Sequence, residues 1–201
     1  NVRYFNEGGQ AGIETKRGCP QSCIYCLEPN AKGRTHRLRA PESVADEFAA
    51  LLDQGIDVVH TCDSEFNIPA DHAPAVCEAL IRRGLASKVR WYAYASPLPF
   101  DEELARLMAR AGCVGIDFGV DHAAPSMLVR LGRAHGPDDS ARTADACRQA
   151  GLAVMFDMLL GGPGETRDTI AAAIRFMQSL DIDRVGLSCG VRLYPHTPLA
   201  R

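Results

Sequence analysis

Three cysteines crowd into eight residues, Cys19-Pro20-Gln21-Ser22-Cys23-Ile24-Tyr25-Cys26, at a C-x₃-C-x₂-C spacing. Thiolates this close can hold three irons of a [4Fe–4S] cluster, a type normally ligated by four cysteines. The missing fourth cysteine is the informative part, because it leaves one iron open to a ligand of another kind. Tyr25, an aromatic residue directly before the last cysteine, completes the pattern. A zinc site is the alternative. It needs four ligands, typically Cys₄ or Cys₃His, and His36 is the candidate fourth, although it lies outside the usual short spacings. A disulfide framework needs an oxidising compartment and a small, loop-rich chain, and 201 residues of ordinary composition are neither.

The C-x₃-C-x-aromatic-C run follows a short strand-like stretch, Gly12-Ile13-Glu14-Thr15. In spacing, aromatic and context it resembles the cluster loop of the radical S-adenosylmethionine (radical SAM) superfamily. The resemblance implies that the amino and carboxylate groups of SAM chelate the open iron. It implies that an electron, from a flavodoxin- or ferredoxin-type reductant, splits the sulfonium and releases a 5′-deoxyadenosyl radical.

The elements that must position this loop alternate between strand-like and helix-like stretches, which argues for a parallel α/β domain. Strands are expected at about 11–16, 56–61, 88–95, 114–119, 152–160 and 184–189. Helices are expected at about 44–54, 72–83, from Asp101 to Gly112, 125–131, 140–150 and 166–179. Val44, Phe48, Leu51 and Leu52 recur at helical spacing, and Leu152 to Leu160 is nearly all apolar, as expected of a strand buried on both faces. The basic segment 30–40 reads as a loop. Six strand–helix units in succession suggest an open, partial (β/α)6 TIM-like barrel, which is also the core fold that the resemblance implies.

In a parallel barrel, function collects where strands end. After the cluster loop at the first strand, the second strand ends in Cys62-Asp63-Ser64-Glu65. In the resembled family this place is a Gly-Gly-Glu-like segment that binds the SAM amino group. Here the carboxylate is kept and the glycines are not. Asp63 is equally readable as a loop cap. Ser96, at the third strand end, can hydrogen-bond SAM or substrate, or simply cap the loop. Asp121, at the fourth, matches the family's contact to the SAM ribose, because a carboxylate accepts from both hydroxyls. Arg133, further on, either faces the SAM carboxylate or is a surface charge. The fifth strand ends in Gly161-Gly162-Pro163-Gly164-Glu165-Thr166, a glycine-rich turn into a helix without the Gly-Lys-Ser/Thr ending of a phosphate loop. The resemblance implies that its backbone, at Gly162, lies beside the adenine. The candidate SAM contacts are thus Tyr25, Asp63, Ser64, Glu65, Ser96, Asp121 and Gly162, with Cys19, Cys23 and Cys26 as cluster ligands.

The turn at 161–166, together with Arg192-Leu193-Tyr194-Pro195-His196-Thr197-Pro198-Leu199, resembles the cobalamin-dependent radical SAM methyltransferase subgroup. That implies a carbon methyltransferase using cobalamin held by a further domain, normally N-terminal to the barrel. The chain starts without methionine, and both ends read as cuts through a longer polypeptide, so residues 1–201 are expected to be its catalytic core. Radical SAM cyclase, oxidoreductase or methylthiotransferase-like chemistry is the alternative, and a non-catalytic zinc- or cluster-binding module a more distant one.

A net charge of -3 and a pI near 6.1 offer no electrostatic argument for nucleic acid. No apolar run is long enough to span a bilayer, and no secretory signal opens the chain. Cys62, Cys77, Cys113, Cys147 and Cys189 are scattered through apolar stretches and read as reduced core thiols. These observations suit a cytoplasmic enzyme acting on a small molecule or a peptide.

Overall fold

A computed structural model describes residues 2–201. The chain runs through α1 (Val2–Asn6), β1 (Ala11–Ile13), β2 (Lys16–Arg17), α2 (Glu28–Ala31), β3 (Arg37–Leu38), α3 (Pro41–Asp53) and β4 (Val58–Thr61). It continues through α4 (His72–Arg82), β5 (Arg90–Ala95), α5 (Glu102–Arg110), β6 (Cys113–Asp121), α6 (Pro125–Leu131) and α7 (Pro137–Ala150). The last elements are β7 (Ala153–Leu160), α8 (Arg167–Ser179), β8 (Arg184–Cys189) and a 3₁₀ turn, Pro198–Ala200.

Six strands form one parallel sheet in the order β1-β4-β5-β6-β7-β8. Sequence order equals spatial order, and β1 and β8 do not pair, so the sheet is the open (β/α)6 barrel that the alternation of elements predicts. Alternate side chains divide between its two faces. Val59, Trp91, Ala93, Ile116, Phe118, Val154 and Phe156 point outward and are buried under the helices. Trp91 is fully buried beside Phe48 and Phe66, and its indole N–H donates to the Ala111 carbonyl at 2.9 Å, so its one polar atom is satisfied. The other face carries His60, Tyr92, Tyr94, Asp117 and Asp157 and lines the barrel lumen.

Three features depart from the sequence expectation. Asn30–Ala40 is not wholly loop: Arg37–Leu38 pairs antiparallel with Lys16–Arg17 as a two-stranded ribbon that frames the cysteine loop. Two-residue strands carry no periodicity, so nothing in the residue pattern announces them. Gly18 makes the ribbon possible, because its φ is +101° and a Cβ there would stand 2.2 Å from the Thr35 carbonyl oxygen. Finally, α1 and α2 are short helices in segments expected to be irregular.

The start of the ribbon is tied to the end of β4 by a buried polar bracket. Asp63 accepts from the Thr15 backbone N–H at 2.8 Å, the Thr15 hydroxyl at 2.5 Å, the Lys16 backbone N–H at 3.2 Å and Lys16 Nζ at 2.9 Å. His72 Nε2 donates to the Thr15 carbonyl from beneath, at 3.1 Å. Lys16 and Asp63 side chains are 3% and 0% exposed, so neither charge has water to fall back on. Removing one partner of such a pair strands the other. The Asp63→Ala variant should therefore lose about 3–5 kcal/mol of stability in denaturant unfolding. An unchanged midpoint would show that the bracket is not structural.

Candidate functional site

The three cysteines line one cavity of about 320 Å³ at the mouth of the barrel, with Tyr25, Ser64, Glu65, Tyr94, Gly119 and Arg133 among its other walls. The loop that carries them is fixed at several points. Cys19 N–H donates to the Gly33 carbonyl at 2.9 Å, and Ile24 N–H to the Leu131 carbonyl at the end of α6 at 3.1 Å. Gly132, which ends that helix at φ +76°, lets the loop approach: a Cβ there would lie 2.3 Å from the Ser22 carbonyl oxygen. From the other side, Leu199 N–H donates to the Ile24 carbonyl at 3.0 Å, so the C-terminal segment also grips the loop.

Among the described residues, no three His, Cys, Asp or Glu side chains converge closely enough for a single metal ion. His36 does not line this cavity. Burial pushes the Cys19 thiol up to about 11, and Glu65, Cys23 and Cys26 add to the rise. Cys26 is also raised, by burial first. A cationic partner is what would make three thiolates favourable here, and the residues present fit a [4Fe–4S] group.

Arg133 joins the parts of the site. Its side chain is 6% exposed, so it is not the surface charge that was one reading of it. Nη1 reaches Cys23 Sγ at 3.0 Å, Nη2 donates to the Gly119 carbonyl at 2.6 Å and lies 3.6 Å from Glu65, and Nε lies 3.2 Å from Asp121. Burial works against its charge, but Asp121, Cys23 and Glu65 outweigh that and hold its pKa above the usual value. Burial pushes Glu65 up to about 7, against the pull of Arg133.

The other candidates fall into two groups. Tyr25 and Ser64 stand on the cavity. Tyr25 donates its hydroxyl to Asp121 at 2.5 Å, and Ser64 donates to Glu28 at 2.6 Å. Asp121 is held between Tyr25 and Arg133, at φ +61°, behind the cavity wall instead of on it. Asp63 also lines the cavity, and its carboxylate is held by the Thr15–Lys16 bracket. Ser96 stands apart from these. It is 3% exposed and away from the cavity, its backbone locked to the Asn67 side chain by two bonds of 2.9 Å. Gly162 packs on α6, where a Cβ would meet Leu131 and Met127 at 3.3 Å. Its turn is instead closed by Glu165, which accepts from the Gly161 N–H and from His122 Nε2 at 2.9 Å. His122 Nδ1 accepts from the Ala124 N–H, which assigns the proton to Nε2. Cys77, Cys113 and Cys147 are core thiols as expected, but Cys62 lines the cavity and Cys189 is exposed.

The sequence profile described as the radical SAM superfamily matches residues 13–177. Over its whole length the chain is 38% identical to a tryptophan 2-C-methyltransferase of Streptomyces laurentii, of which it covers 36%. Over 98% of its length it is 29% identical to an uncharacterised methyltransferase of Pyrococcus horikoshii, covering 43% of that protein. Among solved structures it is similar to the radical SAM methyltransferase TsrM of Kitasatospora setae, determined with cobalamin and a [4Fe–4S] cluster bound. The TM-score is 0.96 at 38% identity, over the whole of this chain and 40% of that one. A second structure of TsrM holds tryptophan and a SAM analogue. The cobalamin-dependent radical SAM enzyme OxsB shares the fold at a TM-score of 0.77 and 18% identity. The chain thus spans about two fifths of the length of the relatives it matches. The profile match, the cysteine loop and the open parallel barrel agree: this chain belongs to the radical SAM superfamily.

Proposed function

We propose that residues 1–201 are the catalytic core of a cobalamin-dependent radical SAM carbon methyltransferase acting on a small molecule. The carrying observation is the placement of Cys19, Cys23 and Cys26 on one cavity with Glu65 and Arg133, in a chain 38% identical throughout to a tryptophan C-methyltransferase. The three cysteines would hold the [4Fe–4S] cluster, leaving one iron for SAM. When bound, the cluster and SAM supply one-electron chemistry, and cobalamin supplies the methyl group. The corrinoid-binding part is assigned to a further domain N-terminal to the barrel, and tryptophan or a relative of it is the first candidate substrate. A flavodoxin- or ferredoxin-type reductant and a cytoplasmic setting belong to the same reading. Among the described residues, no helix is long and apolar enough to cross a membrane.

Each side chain then has a task. Glu65 accepts from the SAM ammonium, the role its position in Asp-Ser-Glu matches. Arg133 holds Glu65 in place and donates toward the Cys23 sulfur, where it tempers the negative charge of a thiolate-bound cluster. Tyr25 and Asp121 fix Arg133 and the cysteine loop to each other, and Asp121 acts as a positioning residue. Ser64 keeps Glu28 turned toward Lys32, 3.0 Å away, at the rim.

Anaerobically reconstituted full-length protein tests the core claim. Alanine at any one of Cys19, Cys23 or Cys26 should abolish the cluster absorbance and its iron and sulfide, whereas Cys77→Ala should keep them. A triple alanine variant with full iron and sulfide would sink the assignment. Corrinoid uptake and methyl transfer to tryptophan test the methyltransferase part.

Glu65 and Asp121 should separate in a second experiment. Losing the Glu65 contact should weaken SAM binding roughly ten- to a hundredfold by calorimetry, the worth of one charge-assisted hydrogen bond, with iron content intact. Asp121→Ala frees both Tyr25 and Arg133 and should lower cluster occupancy as well. Unchanged SAM affinity in Glu65→Gln would remove Glu65 from the site.

A further inference from the structure

Below the cysteine cavity, the barrel lumen carries a layer of side chains that the cluster and SAM do not use. His60 stacks on Tyr92 with ring centroids 4.3 Å apart and an interplanar angle of 5°. Tyr94 stands edge-on to His60 at 4.6 Å and is 44% exposed. Tyr94 also lines the cavity of the cysteines, so the layer and that cavity are continuous. Asp117 on β6 is the register partner of Tyr94, Asp157 stands on the next strand, β7, and after burial both carboxylates raise the Tyr94 pKa.

The Asp117 carboxylate is set for a partner that the chain does not supply. Its Oδ1 is buried without a hydrogen-bond partner, whereas Asp157 beside it is exposed. Burial, then Asp157, pushes the Asp117 carboxyl up to about 6. Facing carboxylates with no cation between them are unfavourable, and a structural pair of this kind would ordinarily carry an arginine or lysine. A second, independent atom points the same way. His60 is only 8% exposed, lies on the lumen side between the two tyrosines, and has a buried Nε2 with no partner among the described residues. The flanks of the layer are kept clear. Gly12 on β1 has no room for a side chain beside Cys62, and at Gly186 on β8 a Cβ would fall on Asp157 Oδ1 and on Met155.

We propose that His60, Tyr92, Tyr94, Asp117 and Asp157 form the substrate seat, and that it selects a small molecule carrying a protonated amine beside a flat ring. The ring packs on the Tyr94 and His60 wall. The ammonium donates to the unpartnered Asp117 and to the exposed Asp157 beside it, forming a charge-assisted pair, with Tyr94 adding its ring face. His60 Nε2 meets one further polar atom of the substrate. This assignment rests on the proposed function only in taking the space next to the cysteine cavity as the place of reaction. It adds a preference for cations that the family membership does not contain.

The test uses reconstituted full-length protein and two probes, tryptamine, which keeps the amine, and indole-3-propionate, which keeps a carboxylate instead. Calorimetry should show tryptamine binding at least about tenfold tighter than the propionate, and the Asp117→Asn/Asp157→Asn double variant should lose that preference. A native protein that binds the propionate as tightly as the amine, or does not bind tryptamine, overturns the proposal. So does a double variant that still prefers the amine. Iron content and SAM affinity, measured on the same samples, report separately on the proposed function, because neither aspartate lines the cysteine cavity.

Discussion

Arg133 keeps a positive charge almost out of reach of water, and the mouth of the barrel is built around that constraint. A guanidinium with little solvation must be surrounded by acceptors. Here Cys23 Sγ and the Gly119 carbonyl accept its hydrogen bonds, and Asp121 and Glu65 stand against it as ion-pair partners. Each belongs to a different part of the chain: the cysteine loop, the body of β6, the end of β6 and the loop after β4. One planar fork of donors therefore registers three segments against one another. Lysine, a point charge on a flexible stem, could not serve them all in this geometry. The charge also offsets the two carboxylates, Glu65 and Asp121, that it lies against.

The loop after β4 shows how one short stretch divides its labour. Asp63 turns back into the protein and satisfies Thr15 and Lys16, which anchors the entrance to the cysteine loop. Ser64 and Glu65 line the cavity with it, but take no part in the bracket. The family's glycines at this place are replaced by residues that have polar partners of their own. The turn after β7 follows similar logic. Its glutamate spends both oxygens on closing its own turn and on the buried His122.

The lumen layer is the reverse case, polar groups left without partners. Outward-facing residues of the same strands are apolar and covered by helices, whereas the inward ones combine aromatic rings with two aspartates. Inward-pointing charge in a barrel core lowers stability unless something compensates it. That arrangement fits a protein that meets its compensating charge as a ligand.

The residues alone determined the cluster loop, the order of strands and helices, and the barrel, because each rests on local spacing: C-x₃-C-x₂-C, a period near 3.6, a continuous apolar run. Relation to the superfamily followed from the same local pattern. What the sequence could not determine was which polar residues at the strand ends face inward and which are consumed. Asp63 and Glu65 are two residues apart, chemically alike and both on the cavity, yet one closes a structural bracket with Lys16 and the other lies against Arg133. Arg133 was indistinguishable from a surface charge until α6 and the cysteine loop were packed together. The ribbon formed by Lys16–Arg17 and Arg37–Leu38 left no trace in the pattern. In every one of these cases the deciding contact joins residues far apart in the chain. A side chain's partner there is chosen by the packing of whole elements, and only the tertiary structure contains that information.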